Sequence, residues 1–201
     1  MAKKRGEKYE AILNAATKVF AQYGYHQTQV TKIAKEAQVA DGTIYLYFKS
    51  KEDILISLFD EKMGGLLAAA EEKVLEQQDV ESKLRTLIFM QFSYLAQDPD
   101  LAMVIKFELR QLELRQLNEV TRNKINELLR RHLHLIDHIV KSGIDQGVFN
   151  PELDPFLARY MIFGTLDETV TSWLMKDRKF DLLSKVEPLL NLLLNGLKRA
   201  A

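Results

Sequence analysis

Apolar residues recur along this chain at spacings of three and four, and nowhere alternate as in a strand for more than a few residues, so the elements it predicts are helical. Residues 6–23 carry Ile12, Ala15, Ala16, Val19 and Phe20 on one stripe, and Gly24 supplies a left-handed stop. Residues 28–51 predict two short helices meeting at a tight corner. Ile33, Ala34 and Ala37 lie on one side of the first, Ile44 and Phe48 on one side of the second, and Val39 fills the corner. Thr28 is placed to cap the first of the pair. The second, read as a rigid rod over 43–49, keeps Thr43, Tyr45, Leu46, Tyr47 and Lys49 on its other face for a partner. This is the layout of a helix-turn-helix, whose second helix is shaped to enter the major groove of DNA.

The rest of the chain is longer helices. Lys51-Glu52-Asp53 opens one with acids in its first turn, and Ile54, Leu58, Met63 and Leu67 continue its apolar side until Gly64-Gly65 interrupts it. That pair predicts either a bend or a close helix crossing. Residues 80–96 are apolar almost all round, which suits the middle of a bundle. Asp98-Pro99 starts a helix to about 107, followed by two copies of Glu-Leu-Arg-Gln at 108–111 and 113–116. A helix over about 117–146 carries Ile125, Leu128, Leu129, Ile136, Ile139, Val140 and Ile144 on one stripe. The last two helices cover 154–175 and about 180–198. The final one places Leu182, Val186, Leu189, Leu190, Leu193 and Leu197 on one stripe, with Leu192 and Leu194 off it. Apolar residues on two sides imply a partner surface. Twofold homodimers are the commonest oligomers, so the last two helices of each copy predict a four-helix interface. The expected fold is all-α: a three-helix head at 1–51 and a six-helix body for ligand binding and dimerisation at 52–201.

Composition narrows the function. The 201 residues are 47% hydrophobic with no cysteine, which suits a packed core in a reducing cytoplasm and excludes disulfides, thiolate metal sites and cysteine nucleophiles. No apolar run approaches the ~20 residues that span a bilayer, and the first residues lack the apolar region of a signal peptide. The net charge of zero hides an asymmetry. Residues 1–51 hold nine Lys or Arg against four acids, net +5, leaving 19 against 24 beyond, net −5. A basic first quarter, with the arm Lys3-Lys4-Arg5, suits a local phosphate-binding surface.

The run from Ala40 to Asp53, with Ile33-Ala34 and Phe20 to Tyr25 before it, resembles the DNA-binding domain of the TetR family of one-component repressors. Gln38 stands where that family commonly has glycine, and Ala40 where a serine often caps the recognition helix. The exposed start of the first helix, Thr28, Gln29, Thr31 and Lys32, would face the duplex backbone and groove edge. Gly42 allows close approach, and Thr43 offers a methyl and a hydroxyl to base edges. The resemblance implies phosphate contacts from Tyr45, Tyr47 and Lys51, with Lys49 adding charge, and base reading by Asp41, Gly42, Thr43 and Thr31. It also implies a homodimer on a palindromic operator in double-stranded DNA.

A DNA-binding head on a helical body predicts a sensor. Phe89, Phe92, Phe107, Tyr160, Phe163 and Trp173 supply aromatic surface for a cavity, and Gly164-Thr165 leaves room in an apolar helix beside Asp167, Glu168, Thr169 and Thr171. Leu109 lies next to Arg110, and Arg110, Arg115, Arg122, Arg130 and Arg131 gather positive charge suited to a phosphorylated head group. The same arginines could instead pair with Glu108, Glu113, Glu119 and Glu127. The blocks Val39 to Lys49, Glu-Leu-Arg-Gln and Phe163 to Trp173 resemble the fatty-acid-degradation repressors of Gram-positive bacteria, TetR-type proteins released from DNA by long-chain acyl-CoA. That resemblance implies an acyl-CoA effector and no cofactor. A drug-efflux repressor sensing lipophilic cations through Glu168 and stacking rings is the rival reading. His134 and His138 are four apart but no third ligand is evident, so no metal is expected, and His132 reads as a core residue. No metal pair, activated nucleophile or phosphate loop supports an enzyme.

Overall fold

The computed structural model describes residues 6–108 and 119–198. Among them there are nine α-helices and no strand, only an isolated bridge between Phe149 and Lys198. They are α1 (Glu7–Tyr23), α2 (Val30–Glu36), α3 (Asp41–Ile44), α4 (Lys51–Glu76), α5 (Val80–Gln97), α6 (Pro99–Met103), α7 (Glu119–Asp145), α8 (Pro155–Met175) and α9 (Val186–Leu197). A π-helical turn, Val104–Glu108, comes after α6, and a 3-10 turn, Leu183–Lys185, precedes α9. The all-α expectation is met. None of the described helices is long and apolar enough to cross a membrane.

Packing groups the described residues into two compact units, which differs from a division at 51/52. One combines the chain up to Gly64 with Pro99–Ile125; the other combines Gly65–Asp98 with the chain from Asn126 onward. In the first, α1 packs on α2, α6 and the π-helical turn. Its core holds Ile12, Leu13, Ala16, Phe20, Ile33, Ala34, Ile44 and Phe48, joined by Ile54, Leu58, Leu101 and Val104. In the second, α5 packs on α8 and α9 around Leu84, Ile88, Phe92, Ile162, Leu166, Val170 and Leu190. Gly143 on α7 admits the Phe149 ring, which a Cβ at that position would overlap.

Several expectations need correction. Gly64-Gly65 does not interrupt α4, which runs unbroken for 26 residues, and a Cβ on Gly65 would meet nothing within 4 Å, so no close helix crossing requires it. Burial of Leu66, Leu67, Ala70 and Val74 offsets the glycines' intrinsic cost of about 1 kcal/mol each. Leu129 is exposed despite its place on the stripe of α7, and so is Phe89 on α5. Of the two leucines off the stripe of α9, Leu194 is buried and only Leu192, 70% exposed, faces outward.

The corner between α2 and α3 closes by a glycine-type stop made without glycine. Val39 N–H donates to Ala34 O at 3.0 Å and Gln38 N–H to Lys35 O at 3.2 Å, the paired bonds of a Schellman motif. Gln38 takes the left-handed position at φ +56°. Ala40 caps α3 with no side-chain hydrogen bond, and α-helical structure there lasts only four residues. Tyr45 to Tyr47 continue as a turn, with Leu46 N–H bonded to Thr43 O and Tyr47 N–H to Ile44 O. The rod expected over 43–49 is therefore a short helix plus a turn. A side chain in the left-handed region costs roughly 1–2 kcal/mol, so Gln38→Gly is expected to raise head stability by about 1 kcal/mol, read as a higher Tm in thermal unfolding.

Candidate nucleic-acid interface and ligand region

The outer side of the helix-turn-helix is built from residues the core does not need. Ile44 and Phe48 point inward, so the residues between them are turned to solvent. Tyr45 is 59% and Leu46 81% exposed, and Asp41, Gly42 and Lys49 are also exposed, with Thr43 half-buried. A Cβ on Gly42 would meet nothing within 4 Å, so the peptide there is open to close approach. Tyr47 is less free: its ring packs edge-on against Tyr9 at 6.1 Å, and Tyr9 stacks on Phe48 at 5.0 Å. On α2, Thr31 and Lys32 are exposed, as is Gln29 at its cap, and the Lys32 ammonium lies 3.9 Å above the Tyr23 ring. Ser50 Oγ accepts the Asp53 N–H and Asp53 Oδ2 accepts the Lys49 N–H, a reciprocal cap at the start of α4.

Two residues expected on this surface are committed elsewhere. Thr28 does not cap α2. It is buried, its hydroxyl donates to Gly24 O at 2.7 Å, and the N-cap position of α2 is taken by Gln29, which makes no side-chain cap. Lys51 is the second. Its ammonium donates to Tyr25 O at 2.7 Å, His26 O at 3.1 Å and Thr28 O at 2.9 Å, and lies 4.5 Å from the Tyr25 ring centre. All three N–H donors of a lysine are used, leaving none for a phosphate in this arrangement. Burial pulls this ammonium's pKa below its ordinary value. Burial, and then the Glu52 carboxylate, push the Tyr25 phenol up. In the same loop, the Tyr25 N–H donates to Glu108 Oε2 at 2.5 Å.

The described ligand candidates fall in different settings. Phe92 and Trp173 are core, and Phe163 is half-buried with its ring 5.5 Å from His132. Phe107 is half-buried in the first unit. Tyr160, Gly164 and Glu168 are exposed on α8, a correction to the enclosed pocket expected around them. The space beside Gly164 is an open groove of about 740 Å³ between α8 and α9, lined by Gly164, Thr165, Glu168, Thr169, Leu189 and Leu192 among others. Next to it, Phe156 and Tyr160 pack at 4.7 Å, with the Arg159 guanidinium over both rings and bonded to Asp137 at 2.9 Å.

Two of the candidate arginines are paired. Arg131 forms two bonds to the Glu71 carboxylate, at 2.7 and 3.3 Å, and Arg130 pairs with Glu127 at 3.1 Å. Leu109, Arg110 and Arg115 lie outside the described residues, as do Lys3, Lys4 and Arg5. His138 Nε2 is 3.4 Å from the Lys83 ammonium, an unfavourable neighbour for a cation. Among the described residues, no three His, Asp or Glu side chains cluster as metal ligands. Sequence reasoning overlooked Glu108 as a loop partner; 83 residues separate it from Tyr25, and no local pattern signals such a contact.

Residues 12–58 match the profile of bacterial regulatory proteins of the tetR family, and residues 59–196 that of the C-terminal region of YsiA-like proteins. The fatty acid metabolism regulator protein of Bacillus subtilis (strain 168) is 52% identical over 195 residues, covering 97% of this chain and 98% of that protein. The fatty acid degradation regulator FadR of Bacillus halodurans superposes with a TM-score of 0.88 at 53% identity, covering 98% of this chain and 100% of that one. FadR of Bacillus subtilis, solved in complex with stearoyl-CoA, gives 0.83 at 51% identity, covering 94% and 99%. A head profile and a body profile that meet end to end, with relatives matched over nearly their whole length, settle the assignment: this chain belongs to the tetR family of bacterial regulatory proteins.

Proposed function

We propose that this protein is a homodimeric, cytoplasmic transcriptional repressor that binds a palindromic operator, is released by long-chain acyl-CoA and controls genes of fatty acid degradation. The observation that carries the reading is likeness over 94% of the chain, at 51% identity, to a regulator crystallised with stearoyl-CoA. Lysines and tyrosines on the outer side of the head support the DNA half. We assign phosphate contacts to Lys32, Tyr45 and Lys49, with Gln29 and Tyr47 at the edge, and base contacts to Thr31, Asp41, Gly42 and Thr43, with the exposed Leu46 suited to a thymine methyl. Thr28 and Lys51 act behind this surface by holding the loop before α2. The acyl chain is assigned to the aromatic interior around Phe92, Phe163 and Trp173, and the phosphates of CoA to arginines that include Arg110 and Arg115. The rival efflux reading is the weaker, because Glu168 lines the groove between α8 and α9 with Gly164 and Leu192, on the face assigned below to a second copy, and not the aromatic interior.

The dimer assignment rests on the outer face of α8 and α9, where Phe156, Leu157, Tyr160 and Leu192 are exposed beside Gly164. An apolar face with a glycine at its centre lets a second helix pair approach closely. Two heads related by a twofold axis would then meet successive major grooves about 34 Å apart.

Three outcomes test the reading. Lys49→Ala should weaken operator binding across sequences and lower the log–log salt slope by about 1, measured by fluorescence anisotropy; an unchanged slope would remove Lys49 from the phosphate contacts. Stearoyl-CoA should release wild-type protein from operator DNA in a gel shift, whereas unchanged mobility at saturation would defeat the effector reading alone. Light scattering at micromolar concentration should give a dimer for the wild type and a monomer for Leu192→Asp.

A further inference from the structure

The loop from Gly24 to Thr28 is held by two opposite charges. Lys51, the first residue of α4, takes the carbonyls of Tyr25, His26 and Thr28. Glu108, the last residue of the π-helical turn, takes the Tyr25 N–H at 2.5 Å. Its two carboxylate oxygens also lie 3.5 and 3.7 Å from where a Cβ on Gly24 would sit, so the carboxylate rests against the loop at the point where φ is +75°. Glu108 is 9% exposed, so water competes little for this bond. The two helices beyond the loop have little hold of their own. Helix α2 has seven residues, α3 has four, and neither has a side-chain cap. Helices this short do not persist alone in water, so their direction is inherited from the loop and the core beneath.

Glu108 also comes from the other half of the sequence. It lies within the stretch matching the C-terminal family profile, while Tyr25 lies within the head profile, yet both belong to the first compact unit. The turn that carries it is π-helical, a rare register found mostly as single turns and frequently at functional sites. Returning Val104–Glu108 to α-helical register would rotate Glu108 about the helix axis and withdraw its carboxylate from Tyr25.

We propose that Glu108 is a positioning residue for operator binding: its carboxylate holds the loop ahead of α2 in the form that presents α2 and α3 to DNA, and the effector lowers DNA affinity by breaking this bond. The second clause rests on the acyl-CoA reading above. Removing a carboxylate near a polyanion raises affinity on charge alone, so a loss of affinity on substitution must come from geometry.

The test uses the full-length protein and a palindromic duplex selected in vitro by the wild type from random DNA, with affinities by anisotropy and stearoyl-CoA binding by calorimetry. Glu108→Ala is expected to bind the duplex at least tenfold more weakly than wild type and to bind stearoyl-CoA equally well. Its DNA affinity should then fall less than threefold on adding stearoyl-CoA, with Glu108→Gln, whose amide oxygen still accepts, intermediate in both. DNA affinity within twofold of wild type, or release by stearoyl-CoA with the wild-type factor, overturns the proposal. Should Glu108→Ala fail to give a folded protein, a wild-type release factor in Glu108→Gln overturns it equally. A wild type indifferent to stearoyl-CoA counts against the acyl-CoA reading, and the DNA affinities of the variants then decide the role of Glu108.

Discussion

Three carbonyl oxygens, those of Tyr25, His26 and Thr28, converge on one ammonium group, and the head of this protein depends on that convergence. Between α1 and α2 the chain turns within a few residues, and a turn so tight leaves its carbonyls without helical or sheet partners. Lys51 satisfies three of them at once. The Thr28 hydroxyl closes the loop onto Gly24 from within, and Glu108 accepts the Tyr25 N–H. Hydrogen bonds to a charged group are stronger than neutral ones, and here burial of the ammonium, which lowers its pKa, offsets part of that gain. With the loop fixed, Ile33, Ile44 and Phe48 fall onto the stripe of α1, and the side chains between Ile44 and Phe48 have nowhere to go but outward.

Much of this was legible in the chain. Helix periodicity is a local signal, and it located α1, α5 and α8 within a residue or two because each buries one continuous face. The resemblance located the head. What periodicity missed was long-range or shared. Thr28 has the right chemistry and position for a helix cap, and only the folded loop shows its hydroxyl bonded to Gly24 O instead. Lys51 has the charge of a phosphate ligand, and only the structure shows three carbonyls already around it. Leu192 and Leu194 look alike off the stripe of α9, but their fates differ because α5 packs across one side of that helix and leaves the other open.

The same limit applies to the sensing half. Glycine at 164 signals close approach, but a helix cannot say whether what approaches is a ligand in a cavity or another helix at a surface. Its openness in the structure, next to the rings of Phe156 and Tyr160 on the outer face, favours a surface. Arginines present the same ambiguity: Arg131 could have faced a phosphate, and the Glu71 carboxylate on α4 holds it instead. Charge counts show that such groups exist, whereas their partners depend on which helices become neighbours.

The open face of α8 and α9 reaches beyond architecture. A single chain carries Phe156, Leu157 and Leu192 into water, and in the proposed dimer a second copy would shield them from misassociation. If only the proposed dimer grips the operator, then wherever pairing is incomplete the amount of DNA-competent species would grow as the square of the number of chains rather than in proportion to it. A modest change in synthesis would then be felt at the promoter as a much sharper one.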